Sequence, residues 1–270
     1  MTGLKFIKKL IIGLPDWSHP SNKNESESPD IQPLWLKDNI IHSMTKVGKL
    51  YIVATPIGNP RDITLRALDI LKEVDGVICE ERREGSTLLK RLDLPERELI
   101  TLNEHNEAEA TADLVIRMFK GESFALISDA GTPVFADPGA YLIQEASMSG
   151  LQVVPIPGPS SLMAVLSILD FKLGKFVFGG FLSRVPDQRR QELTRLRGLR
   201  LPVVLMDTPY RLAALLDDVE KTFGKGQRLT LGFDLTQETE LIVRGTPAEV
   251  KKAIGPRKGE FMLVVHGSPG

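Results

Sequence analysis

The spacing of apolar residues changes character at Lys49. Beyond it, short apolar runs alternate with longer stretches in which apolar residues return every three or four positions. The runs at residues 50–55, 76–79, 99–102, 123–128 and 152–156 predict buried strands, because several are apolar on both faces and are closed by Gly, Pro, Asn or Asp. The intervening stretches 62–74, 86–92, 107–120 and 140–149 predict helices; in the third, Leu114, Val115, Met118 and Phe119 share one face and Gly121 ends it. A second series follows: helix 160–169, strand 176–181, helix 188–197, strand 202–206, helix 209–223 and strands 228–235 and 240–244. It closes with helix 246–254 and strand 261–265, and Thr246 and Pro247 supply a cap and a first-turn proline for that last helix. Strand-helix alternation predicts an α/β fold whose first sheet is parallel or mostly parallel and covered on both faces. A second α/β unit begins near Lys172. The expected organisation is an extension at 1–48, a domain at 49–170 and another at 171–270.

Composition narrows the reading. A hydrophobic fraction of 42% and a charged fraction of 26% are those of a globular protein. The net charge of -1 provides no molecule-wide positive field, so nucleic acid would have to be met by a local basic patch. Cys79 is the only cysteine, which excludes an internal disulfide and an all-cysteine metal cluster; with four histidines, no metal site is expected. In the first 48 residues, Lys5, Lys8 and Lys9 flank the short apolar run 10–14, and Pro15 and Asp16 stop it. We expect a disordered extension there rather than a secretory signal, with Met44 as an alternative start. No run approaches the roughly 18 apolar residues of a membrane span, and a cytoplasmic protein without a membrane partner is expected.

Candidate chemistry lies where strands give way to helices, since ligands of open α/β sheets bind beyond the carboxyl ends of the strands. Three such loops are rich in Gly and Pro: 55–59, 128–133 and 157–161. Glycine lets backbone approach a ligand, and proline fixes loop shape. Ordinary turn chemistry would explain any one of them; three at successive strand ends favour a site. The chain lacks G-x-x-x-x-G-K-[ST], G-x-G-x-x-G and G-x-S-x-G, which disfavours a Walker nucleotidase, the common dinucleotide loop and a nucleophile elbow.

The sequence from Leu50 to Asn59 with Asp62-Ile63-Thr64 and Arg66-Ala67-Leu68 resembles the opening of the ribosomal RNA small subunit methyltransferase I family. Ser128-Asp129-Ala130-Gly131-Thr132-Pro133, Asp137-Pro138-Gly139 and Pro155-Ile156-Pro157-Gly158-Pro159-Ser160 resemble that family's cofactor loops. Gly180-Phe181-Leu182 and Lys258-Gly259-Glu260 resemble markers of its C-terminal half. The resemblance runs from Leu50 to about His266. It implies a two-domain tetrapyrrole-methylase-like fold, each domain a mixed sheet flanked by helices, with S-adenosylmethionine in the interdomain cleft. It further implies a homodimer that methylates the ribose 2'-hydroxyl of a cytidine in 16S rRNA, within the 30S subunit. Carried over by position, the cofactor-binding candidates are Pro56, Gly58, Asp129, Ala130, Gly131, Thr132, Pro133, Pro157 and Gly158. Asp129 could pair with the cofactor's ammonium or ribose hydroxyls, or cap its own loop.

Methyl transfer from an activated sulfonium depends on alignment, and a ribose hydroxyl gains from a base or a cation nearby. Glu80, Glu81 and Arg83, and His105 with Glu107, are the catalytic candidates; paired acids at a strand end also suit a helix N-terminus, and His105 beside Asn106 could satisfy a turn. Three segments depart from the family pattern: Glu80-Glu81-Arg82-Arg83 stands where it has Glu-Asp-Thr-Arg, and 206–211 and 233–237 have changed charge. Arg184, Arg189, Arg190 and Arg197, with Lys258, are the RNA-binding candidates; a solvated helix face is the alternative for the arginines. A tetrapyrrole or other small-molecule methylase, and a cofactor-binding module without catalysis, remain open beside the rRNA reading.

Overall fold

β1 (Lys49–Val53), β2 (Gly76–Cys79), β3 (Glu98–Thr101), β4 (Phe124–Ile127) and β5 (Gln152–Ile156) form a sheet in the order β3-β2-β4-β1-β5. All its strand pairs are parallel, as the strand-helix alternation predicts. The structure is a computed structural model that describes residues 47–135 and 137–267; the expected extension at 1–48 falls outside them except for its last two residues. The described residues fall within one compact unit.

The pleat of the first sheet explains its two apolar faces. On one, Val53, Val77, Cys79, Ala125 and Ile127 pack against Ala67 and Leu71 of α1 (Leu65–Glu73) and Leu89 of α2 (Arg82–Arg91). On the other, Leu50, Ile78, Phe124 and Leu126 pack against Leu114 and Met118 of α3 (Glu107–Phe119) and Leu142 and Ala146 of α4 (Ala140–Met148). Neighbouring residues of one strand thus serve opposite faces, as a period of two requires. Adjacent strands β1 and β4 are followed by helices on opposite faces, so their carboxyl ends flank a topological switch point.

Helix α2 begins at Arg82, four residues earlier than the apolar pattern predicts. Arg82, Arg83 and Glu84 are all exposed, so that turn carries no apolar signal. What seats it is Gly85, where a Cβ would lie 2.8 Å from the Cys79 sulfur.

After β5, α5 (Ser161–Ser167) leads to a second sheet of β6 (Val177–Gly180), β7 (Val203–Asp207), β8 (Leu229–Phe233), β9 (Leu241–Gly245) and β10 (Phe261–Val265). Its order is β6-β7-β10-β8-β9, and only β6 and β7 run parallel, so this sheet is mixed. α6 (Pro186–Gly198), α7 (Leu212–Phe223) and α8 (Pro247–Ile254) cover one face through Leu193, Leu215, Leu216, Val219 and Val250. Val165 of α5 packs on the opposite face with Val204, Met262 and Val264, and Ile57 from the β1 exit joins it. Thr246 caps α8 and Pro247 stands in its first turn, as the sequence predicts, and Glu249 completes a reciprocal capping box. Among the described residues no helix is long and apolar enough to cross a membrane.

Candidate active site

The three Gly/Pro loops meet at the switch point. Thr55, just past β1, donates its N–H to Gly131 O (2.8 Å) and accepts from Gly131 N (3.1 Å), an antiparallel bridge beyond the end of the parallel sheet. Its buried hydroxyl donates to Ser128 O at 3.0 Å, so both ends of the β4 exit are tied to β1. Thr132 Oγ1 donates to Pro159 O at 3.1 Å and ties the same loop to the exit of β5. Gly158 lies against Ala54, where a Cβ would stand 3.1 Å from the Ala54 Cβ. Gly58 meets the second sheet: a Cβ there would be 2.6 Å from Gln237 Cγ and 2.8 Å from Thr236 Oγ1, and Asn59 N–H donates to that hydroxyl at 3.1 Å. Pro56 and Pro133 are buried, whereas Asp129, Ala130, Thr132 and Pro157 face solvent. The structure therefore brings the three loops into contact, through Thr55 and Gly131, Thr132 and Pro159, and Gly131 and Ile57.

The β4–α4 loop is conformationally unusual. Gly131 (φ +86°) and Gly139 (φ +123°) occupy the left-handed half of backbone space, and so does the β-branched Val134 (φ +72°). Such strain persists only where surrounding contacts fix it, and it concentrates at working loops. Glu107 supplies part of that fixation. Its Oε1 accepts from Gly139 N (2.8 Å) and Tyr141 N (3.2 Å) at the start of α4, so this carboxylate positions the loop.

An open cleft of about 290 Å³ lies between the β1 and β5 exits, lined by Ile57, Asp62, Thr64, Gly158, Ser160 and Thr236 among others. Beside the switch point on the β2 side, carboxylates gather. Partial burial, then the charges of Glu80, Glu84, Asp137 and Glu81, push the Asp129 carboxyl up to about 6. Glu80 is half-buried, and burial with Asp137, Glu81 and Glu104 nearby raises its carboxyl above the ordinary range. Among the described residues, Asp129, Glu80, Glu81, Glu84 and Asp137 have no ion-pair partner. Unneutralised carboxylates held together favour a cation or a proton in their midst.

The other candidates separate. Arg83 and His105 are exposed; His105 sits 3.6 Å from Glu104, and Asn106 satisfies the turn by accepting from Asn103 N and donating to Thr101 O. Arg189 departs from the surface role expected of it. Its guanidinium is buried, with Nε 2.8 Å and Nη2 2.6 Å from Asp218 Oδ2, so it holds α6 to α7 and offers nothing to a phosphate. Arg190 pairs with Asp187 and, at 3.5 Å, with Asp218, and the exposed Arg197 donates to Thr222 O at 2.8 Å. Arg184 and Lys258 face solvent. Glu84 was not singled out by the sequence reading, and Thr55, Thr236 and Asp137 entered it only as members of the segments 55–59, 233–237 and 137–139. Glu84 lies in the first turn of α2, close behind Glu80 at the β2 exit, and that nearness in sequence was the available signal; Thr236 is brought in only by tertiary contact.

Two α/β units, with Gly/Pro loops converging at the switch point of the first, define the fold class, and residues 49–251 match the family model of the Tetrapyrrole (Corrin/Porphyrin) Methylases. The "Ribosomal RNA small subunit methyltransferase I" of Xylella fastidiosa (strain Temecula1) is 38% identical over 83% of this chain and 84% of its own length. The protein of that name from Leptospira biflexa is 39% identical over 81% of this chain and 91% of its own length. The crystal structure of a cobalt precorrin-4 methyltransferase superposes with a TM-score of 0.61 at 20% identity, covering 80% of this chain and 94% of the other, a likeness of fold. The chain belongs to the ribosomal RNA small subunit methyltransferase I family of the tetrapyrrole methylases.

Proposed function

We propose that this chain is an S-adenosylmethionine-dependent methyltransferase whose acceptor is a cytidine ribose 2'-hydroxyl in 16S rRNA, presented by the 30S subunit. The observation that carries the reading is the unpaired acidic cluster around Asp129, beside the Thr55–Gly131 bridge at the switch point. The cofactor is a cation at its sulfonium and its ammonium, and this donor set fits it. In this reading residues 49–170 and 171–270 act as two domains, with the cofactor in the cleft between them. Asp129 holds the ammonium, and the backbone of Ala130, Gly131, Thr132 and Pro133 shapes the pocket with Pro56, Gly58, Pro157 and Gly158. The bound cofactor supplies a methyl group already activated for transfer. Glu80, half-buried among other acids and raised in proton affinity, takes the proton of the acceptor hydroxyl. The relatives' names support RNA as the acceptor class. A cytoplasmic homodimer completes the reading, and sedimentation of the purified protein tests its stoichiometry.

The decisive experiment incubates the protein with labelled cofactor and 30S subunits from cells lacking the modification, then maps the 16S rRNA by mass spectrometry. A single 2'-O-methylcytidine is expected. Label entering a tetrapyrrole while the RNA stays unlabelled would overturn the acceptor.

The cluster also fixes a pH dependence. Asp129 has an ordinary value of 3.8, raised in the fold to about 6, so between these values the folded chain binds more protons than the unfolded one. The Asp129 contribution to stability therefore declines as pH rises through this window. A cation binds the ionised form, so cofactor affinity should climb through about pH 6 and level off above pH 7. Titration calorimetry from pH 5 to 8 checks this, and Asp129→Asn should flatten the profile. An equally steep profile in the variant would remove Asp129 from the cofactor contact.

A further inference from the structure

We propose that Tyr210, held against Lys258 and displayed beside Phe181, is the platform on which this protein stacks an unpaired base of its RNA substrate. The inference rests on the rRNA reading above and names the surface that grips the acceptor strand.

The carboxyl ends of the parallel strands β6 and β7 and the entry to antiparallel β10 lie at one edge of the second sheet. Phe181 leaves β6 there with 51% of its surface exposed, and Tyr210 leaves β7 with 77% exposed. Lys258, just before β10, places its Nζ 5.0 Å from the centre of the Tyr210 ring. A cation over a tyrosine face orients the ring and leaves its other face open.

The display is built. Asp207, buried at the end of β7, accepts from Thr208 N at 2.8 Å and pairs with Arg211 Nη1 at 3.1 Å, closing the turn that carries Tyr210. Arg211 Nη2 then donates to Leu182 O (3.1 Å) and Ser183 O (2.8 Å), which rivets this turn to the segment that carries Phe181. The second Asp207 oxygen, Oδ2, is buried without a partner, a cost the fold tolerates in holding this corner. Both aromatics keep more than half of their surface exposed on this pinned corner.

Position and charge select the occupant. Phe135, from the loop that begins at Asp129, meets Phe178 of β6 with ring centres 4.6 Å apart, so the acidic loop reaches the strand that ends at Phe181. Arg184 follows Phe181 and Arg257 precedes Lys258, both exposed. Aromatic faces interleaved with Lys and Arg are the chemistry of single-stranded nucleic acid, in which bases stack and phosphates meet cations.

The test compares wild type with Tyr210→Ala, Tyr210→Phe and Lys258→Gln, using unmodified 30S subunits for turnover and a fluorescent single-stranded RNA oligonucleotide for binding. Tyr210→Ala should raise KM for 30S and weaken oligonucleotide binding about tenfold, with cofactor affinity and Tm unchanged. Tyr210→Phe should restore both, and Lys258→Gln should lower the salt slope of binding by roughly one. Wild-type KM in Tyr210→Ala, no oligonucleotide binding by the wild type, or dissociation of Tyr210→Ala into smaller species would each overturn the platform, the last by making this corner a protein interface. Oligonucleotide binding through Tyr210 without methylation of 30S would instead sink the rRNA reading and leave the platform standing.

Discussion

Replacing Arg189 with leucine is expected to destabilise the protein by about 3–5 kcal/mol, because it strands a buried carboxylate. Asp218 lies on α7 between Leu216 and Val219, with 4% of its side chain exposed, and Arg189 meets it with two nitrogens. Arg190 Nη1, at 3.5 Å from the other Asp218 oxygen, is too distant and too wet to replace that pair. For a chain of this size the shift in Tm should be on the order of 10 °C by calorimetry. The double variant Arg189→Leu/Asp218→Leu separates pairing from packing: with both charges gone it should recover most of the loss. A single variant as stable as the wild type would show that the ion pair contributes nothing, and a double variant as unstable as the single one would assign the effect to shape.

That residue also shows where the sequence stopped being legible. Strands 76–79 and 261–265 were readable to the residue, since burial on both faces leaves an apolar run with little ambiguity. On α6 the buried stripe is Arg189, Leu193 and Leu196, an ordinary helical spacing with a cation at one of its apolar positions. A run of arginines hides that stripe, because the partner that makes burial tolerable is 29 residues away. The candidate site divides in the same way. Gly58, Gly131 and Gly158 were recognisable because local backbone demands leave a compositional mark. Thr55, Thr236 and Phe135 were not, because their roles arise only where separate segments meet. The segment 206–211, in which a charge pattern had changed, runs from the half-buried Met206 and the buried Asp207 at the end of β7 to the pinned turn that exposes Tyr210.

Gly131→Val should lower methyl transfer by about 100-fold or more while the chain remains folded. Two demands fall on this one residue. Its φ of +86° is a region that β-branched residues avoid, at a cost of order 1–3 kcal/mol. A Cβ would also stand 3.2 Å from Ile57 Cγ2, and Ile57 packs on the second sheet, so the added bulk presses the β4 loop away from β1 and disturbs the contact between the sheets. The Thr55–Gly131 bridge would then open, and Asp129, two residues away, would lose its place. Gly150 provides the control. It has φ +79° and nothing within 4 Å of a Cβ, so Gly150→Ala incurs the backbone strain without touching the candidate site. Cofactor affinity by calorimetry and initial rates on 30S subunits should fall in Gly131→Ala, fall further in Gly131→Val, and hold at wild-type values in Gly150→Ala. Matching affinities in Gly131→Val and Gly150→Ala would mean that the β4 loop does not hold the cofactor, and the acidic cluster beside it would then need another ligand.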